Sequence, residues 1–330
     1  NVLPIEKRAQ ILQLLVEGMG MRAITRVTGV SINTITKLLI DAGNACAEYQ
    51  DATIRNVKAK RVNAMKFGAS ASPTKGTSRP SMKAFSGMAS LDMGVALDAD
   101  TKLAINYLVG LRSTECAESF IGDLASRLED RIQLTTDGHG VYVNAIEKAF
   151  GGAVDYAMLV KVYGEGMGGM DQRRYSPSSF VKADKRRITG APELSEVSTS
   201  YVERQNLTIR MQNRRFTRLT NAFSKKIENL EHSIALHFMH YNFARIHKTL
   251  RVTPAMEAGL SITFGASKKL RRSFLSGGQE ARPVQEEKFK LDTTPGSAKL
   301  QFSPVVNSGA VAACGADSLH NNEAGMTKKV

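Results

Sequence analysis

Apolar residues recur at helical spacing from the first turn of the chain. Ile5, Ala9, Leu12 and Val16, widened by Ile11, Leu14 and Leu15, predict an amphipathic helix from Ile5 to Glu17 that Gly18 and Gly20 end. Ala23, Ile24 and Val27 mark a second, short helix over Met21–Thr28. Gly29-Val30 then supplies a turn, and Ser31 is a helix-capping residue. The third helix, Ser31 to about Ala42, buries Ile35, Leu38 and Leu39 and leaves Asn33, Thr34 and Lys37 outward.

The period changes from Gly94 onward, where the pattern reads as α/β. Gly94–Leu97 and Leu103–Val109 form a predicted hairpin turned at Asp98-Ala-Asp100-Thr101. Ser113 caps a helix carrying Ala117, Phe120, Ile121, Leu124 and Leu128. Arg131–Thr136 is a strand that delivers Asp137 at its C-terminal end, before Gly138-His139-Gly140. A helix over Val141–Phe150 and a strand over Val154–Val162 follow. Ligands of open α/β sheets gather at the carboxyl ends of strands, so Asp137 is placed for chemistry, although a strand-end Asp before Gly is also an ordinary turn. Past Ser261 the pattern dissolves into Ser276-Gly277-Gly278 punctuation and scattered charge, which reads as disorder.

Charge adds a partner class. The net charge is +14, and Lys182 to Lys226 holds half of that surplus, eleven Lys/Arg (Lys182, Lys185, Arg186, Arg187, Arg204, Arg210, Arg214, Arg215, Arg218, Lys225, Lys226) against four acids. Such a concentration is either a solvated helix face or a surface for a polyanion. The three cysteines, Cys46, Cys116 and Cys314, are too scattered for a disulfide framework or zinc knuckle, which fits a reducing compartment. With no apolar run of membrane-span length and no signal-peptide pattern, a cytoplasmic, nucleoid-associated protein is expected.

The N-terminal pattern, with its turn glycine and polar helix start, describes a helix-turn-helix, although three-helix bundles without DNA contacts share it. In a helix-turn-helix, Ser31, Asn33 and Thr34 stand where base edges are met and Lys37 where a phosphate is met. Arg22 and Arg26 add to the positive face, and Arg55, Lys58, Lys60 and Arg61 form a basic linker.

Three blocks carry a resemblance. They are Leu134-Thr-Thr-Asp137-Gly-His139; Tyr201-Val-Glu203-Arg204-Gln-Asn206, leading into Thr217-Arg-Leu-Thr-Asn-Ala-Phe-Ser-Lys225; and Tyr241-Asn-Phe-Ala-Arg245-Ile-His247-Lys-Thr-Leu250 with Thr253-Pro254. Together they resemble DDE transposases of the insertion sequence 1 family, within the retroviral-integrase superfamily. The resemblance runs from the N-terminus to Arg61 and again from about Val95 to Leu260. It implies an RNase H-like core binding two Mg²⁺ (or Mn²⁺) ions through two Asp and one Glu. It also implies DNA cleavage and strand transfer, with element ends and target DNA as partners and a homo-oligomer on DNA. Asp137 matches the second carboxylate and Glu203 the third, both catalytic and metal-binding. Glu203 opens a helix on which Arg210, Arg214, Arg218 and Lys225 recur as a phosphate track, with Arg204 beside them. His139 and His247 fit supporting roles rather than ligation.

The first carboxylate of the resemblance is missing. Where the family has a strand reading like Cys-Asp-Glu-Val-Trp-Ser-Phe shortly after the basic linker, this chain has Val62-Asn-Ala-Met65-Lys-Phe-Gly-Ala-Ser70, and no acid stands between Arg61 and Ser90. Allowed codons for Asn63–Ser70, read one base earlier, spell the family's strand. Phe-Gly-Ala-Ser recurs at Phe264–Ser267, where the same shift spells a family-like ending. The chain has no Trp, and each shifted reading restores one. Two segments therefore read as translated out of frame.

The expected organisation is a helix-turn-helix over 1–44, a basic linker over 45–61 and an out-of-register segment over 62–93 that replaces and disrupts the first core strand. An RNase H-like α/β domain over 94–260 and a disordered tail over 261–330 complete it. Losing that strand, which the resemblance puts centrally in the sheet, would leave its neighbours' backbone groups unpaired. The function expected is that of a transposase impaired in this chain. The alternatives are a catalytically dead DNA-binding remnant or repressor of the element ends and, less in keeping with the Glu203 and Tyr241–Pro254 blocks, a plain transcription regulator.

Overall fold

The computed structural model describes residues 3–69, 91–111, 113–164, 180–217, 222, 224 and 226–261. The tail expected over 261–330 lies outside them but for Ser261, as do residues 70–90 of the expected out-of-register segment. No helix among the described residues is long and apolar enough to cross a membrane.

Three helices come first: α1 (Ile5–Val16), α2 (Met21–Thr28) and α3 (Ile32–Thr53). Their small core is Ile11, Ile24, Ile35 and Leu38. Gly29 closes α2 in the left-handed conformation, and the Ser31 side chain caps α3 by accepting from the Thr34 amide. The third helix does not stop near Ala42. It runs on to Thr53, so much of the stretch read as a basic linker is helix, with Cys46 and Gln50 buried.

The body is a mixed α/β layer structure. Its strands are β1 (Arg61–Ala69), β2 (Leu91–Asp98), β3 (Ala104–Leu111), β4 (Ile132–Asp137), β5 (Val154–Tyr163) and β6 (Phe180–Thr189). They form one sheet in the order β3-β2-β1-β4-β5-β6. β1 runs parallel to β4, and β4 to β5; the other neighbours are antiparallel. On one face α4 (Thr114–Arg127) and α5 (Val141–Phe150) cover Val62, Ala64, Ala96, Leu134 and Tyr156. On the other, α6 (Ser200–Gln212) and α7 (Ile227–Met239) cover Met93, Val95 and Leu97 through Val202, Ile209, Ile234 and Phe238. A π-helical turn (His240–Ala244) and α8 (Pro254–Glu257) close the described chain.

The expectation of a disrupted first strand is corrected. β1 lies inside the sheet, bonded to β2 from Val62↔Asp98 to Ala69↔Leu91 and to β4 from Arg61↔Gln133 to Ala64↔Thr136. β2 begins at Leu91, ahead of the expected start at Gly94 and inside the expected out-of-register segment. The reason is burial on both faces. Val62 and Ala64 enter one core while Asn63 is buried on the opposite side, so no apolar–polar alternation is required of such a strand. Val62 and Ala64, in the stretch flanked by strands on both sides, are small or apolar enough to fill a central strand.

Candidate functional site

Asp137 ends β4 abreast of Leu159 on β5. Lys161 is two positions further along β5, on the same face of the sheet. Glu203 reaches that face from the first turn of α6, whose N-terminal cap is Thr199. The two segments meet through a shared oxygen: Glu203 Oε1 accepts from Lys161 Nζ, in an ion pair, and from the Thr199 hydroxyl at 2.7 Å. Thr199 is buried while the Lys161 and Glu203 side chains are each about a third exposed, so the pair sits at the rim of the sheet. Strand register thus links Asp137 to the strand of Lys161, and Lys161 to Glu203, through a cation the expected site did not include. The signal was available, because Lys161 is a lone charge in the apolar run Ala157–Val162.

The Asp137 charge is also felt on the other side of its strand. Burial first, and the Asp137 carboxylate after it, push the Tyr142 hydroxyl well up. Tyr156, which shares a 2.8 Å hydrogen bond with Thr136, is raised to about 12, chiefly by burial. His139 turns the edge of its ring to Tyr142, 6.1 Å between centroids, and His247 shares a 3.0 Å hydrogen bond with Thr249.

Register shows what stands beside Asp137 on β1. Met65 is one step beyond the last pair of β1 and β4, Ala64 and Thr136, and so stands abreast of Asp137. Its sulfur accepts from Asn206 Nδ2 at 3.7 Å, one turn of α6 below Glu203. Asn63, the preceding residue on this face, is buried, and its Nδ2 has no hydrogen-bond partner. A thioether is a soft donor and an amide nitrogen donates rather than ligates, whereas Mg²⁺ takes hard oxygens. No group of three or more His, Cys, Asp or Glu among the described residues could hold a metal ion. Met65 and Asn63, the residues beside Asp137 on β1, offer no carboxylate oxygen of the kind a Mg²⁺ site takes.

The expected phosphate track does not form as one helix. α6 ends at Gln212, where Asn213 turns the chain and caps a 3₁₀ turn over Arg214–Phe216 through its side chain. Arg204 is exposed beside Glu203, Arg210 lies in the last turn of α6, and Arg214 stands past its end near Gly20. Arg218 and Lys225 lie outside the described residues. Arg215 is half-buried, and the desolvation lowers its guanidinium to about 10; it donates to the Met21 sulfur at 3.7 Å. The end of α6 therefore abuts the turn between α1 and α2. A side chain at Gly18 would meet the Met211 carbonyl at 2.9 Å, and Gly18 has a φ of +80°.

At the N-terminal helices, Ser31, Asn33, Thr34 and Lys37 are all exposed along one end of α3, with Arg22 and Arg26 exposed on α2. The third sequence block has a framework role. Tyr241 donates to the Lys102 carbonyl at 2.9 Å, and the Asn242 amide bonds both the Ala104 N–H and C=O at 3.0 Å, taking a strand's place at the open side of β3. Comparison with protein-family models and with characterised proteins returns no match to this chain.

Proposed function

We propose that this chain is a DNA-acting protein of the DDE transposase kind, holding element DNA through an N-terminal helix-turn-helix and impaired in the two-metal chemistry of that group. The observation that carries the reading is that Asp137 ends a strand whose neighbour β5 bears Lys161, the residue that binds Glu203, while Met65 stands abreast of Asp137 where the resemblance has its first carboxylate. A first strand lying centrally beside that of Asp137 supports the RNase H-like reading. The exposed Asn33, Thr34 and Lys37 at the start of a capped helix support the helix-turn-helix.

The incomplete acid set favours a DNA-binding remnant over an active enzyme. In-line displacement at a phosphodiester needs its attacking and leaving oxygens stabilised together, and a carboxylate set that lacks its first Asp and has Glu203 paired with Lys161 is poorly made to hold the ions that do so. What these residues supply is placement. Thr199 and Lys161 fix Glu203, and the arginines of α6 and its following turn lie between that site and the N-terminal helices.

The test restores the carboxylate. The parent chain is expected to retard duplex DNA in a gel but not to nick a supercoiled plasmid with Mg²⁺ or Mn²⁺. Met65→Asp should gain measurable nicking, and the further change Asp137→Ala should remove the gain. Efficient cleavage by the parent would overturn the impairment, and failure to bind DNA would overturn the whole reading.

A further inference from the structure

We infer that Lys161 is the built-in counter-ion of Glu203, a positioning residue that masks its charge so that a DNA phosphate can approach this face without a divalent ion. The proposal rests on the DNA-acting reading above and concerns a contact that the resemblance did not imply. Lys161 Nζ donates to Glu203 Oε1, and the Thr199 hydroxyl holds the same oxygen at 2.7 Å, so the carboxylate is fixed toward the ammonium. β5 places this lysine two positions beyond Leu159, the register partner of Asp137 on the adjacent strand. Arg204 is exposed beside the pair.

The electrostatics follow from these positions. Glu203 without a cation would set a negative charge on the surface a polyanion must meet. The ammonium cancels it, and its remaining donors can face a phosphate oxygen. Burial of the pair is only partial, with side chains 29% and 35% exposed, so the effect is expected at low ionic strength and to fade with salt. A lysine serving only as a phosphate contact would act independently of Glu203. A lysine serving as a mask would matter only while Glu203 is charged.

A double-mutant cycle separates the two, with affinity for an end-labelled random-sequence duplex measured in EDTA and each variant's thermal melt checked against the parent. Lys161→Met is expected to weaken binding on the order of tenfold, as an uncovered charge a few ångströms from a phosphate does. Lys161→Arg should retain affinity. Glu203→Gln should bind more tightly than the parent, and the double variant K161M/E203Q should recover most of the loss. Loss in Lys161→Met that Glu203→Gln does not rescue overturns the proposal, as does no loss at all. If Lys161→Met does not fold, Lys161→Gln takes its place in the cycle with the same outcomes. A parent that does not bind the duplex overturns the DNA-acting reading as well, whereas a binding parent without rescue overturns only the role of Lys161.

Discussion

At the scale of single residues, the most exacting environment outside the acid site is that of His237. It is fully buried on α7, with both ring nitrogens unpartnered, its ring stacked on Tyr241 and edge-on to Phe238. Desolvation, with His240 and Arg245 adding to it, lowers its pKa to about 3. A folded-state value below the unfolded one means the group costs the fold nothing above about pH 6.5, the ordinary value for His. Stability is then lost progressively as pH falls from there toward 3, because only the unfolded chain readily takes up the proton. His237→Leu should therefore flatten the decline of the denaturation midpoint between pH 6.5 and 4. A decline of unchanged steepness would show that other groups govern it. Asp137, Glu203 and their blocks were legible as residues because a strand-end Asp and the Glu203 block have distinctive neighbours. Lys161 was legible only as a lone charge in an apolar run, since its ion pair between β5 and α6 leaves no local sign of the partner.

At the scale of elements, what the sequence concealed divides by burial. The helix after Ser113, the turn at Asp98 and the strand ending at Asp137 were legible because one side of each is polar or capped. β1 was hidden because both of its faces are buried, and β6 for the opposite reason. Most of its residues are exposed, so Lys182, Lys185, Arg186 and Arg187 read as a charge run rather than as an edge strand. The second half of α3 was hidden by Gly43 and Asn44, residues that commonly end helices. Gly43 is there because α7 crosses so closely that a side chain would meet the Cβ of His232 at 2.5 Å and its backbone at 2.7 Å. Helix propensity alone makes Gly43→Ala stabilising by about 1 kcal/mol. The crossing reverses the sign, and a loss of about 2 kcal/mol is expected from overpacking, read as a lower urea midpoint at constant slope. A gain in stability would mean that the two helices separate without cost.

At the scale of the whole molecule, the continuous α3 has a consequence for distance. Its 22 residues span about 33 Å, close to the roughly 34 Å of one turn of B-DNA. Its exposed first turn carries Asn33 and Thr34, while its far half is pinned to α7 by the crossing at Gly43 and by Gln50, which donates to the Ala235 carbonyl at 3.0 Å. No hinge interrupts it. If bases are read at one end, the other end cannot drift relative to them, and α3 becomes a gauge. Hydroxyl-radical footprinting should then find two protected patches at a fixed interval of about one helical turn. That interval should not vary with the DNA sequence chosen, because the protein rather than the duplex sets the measure.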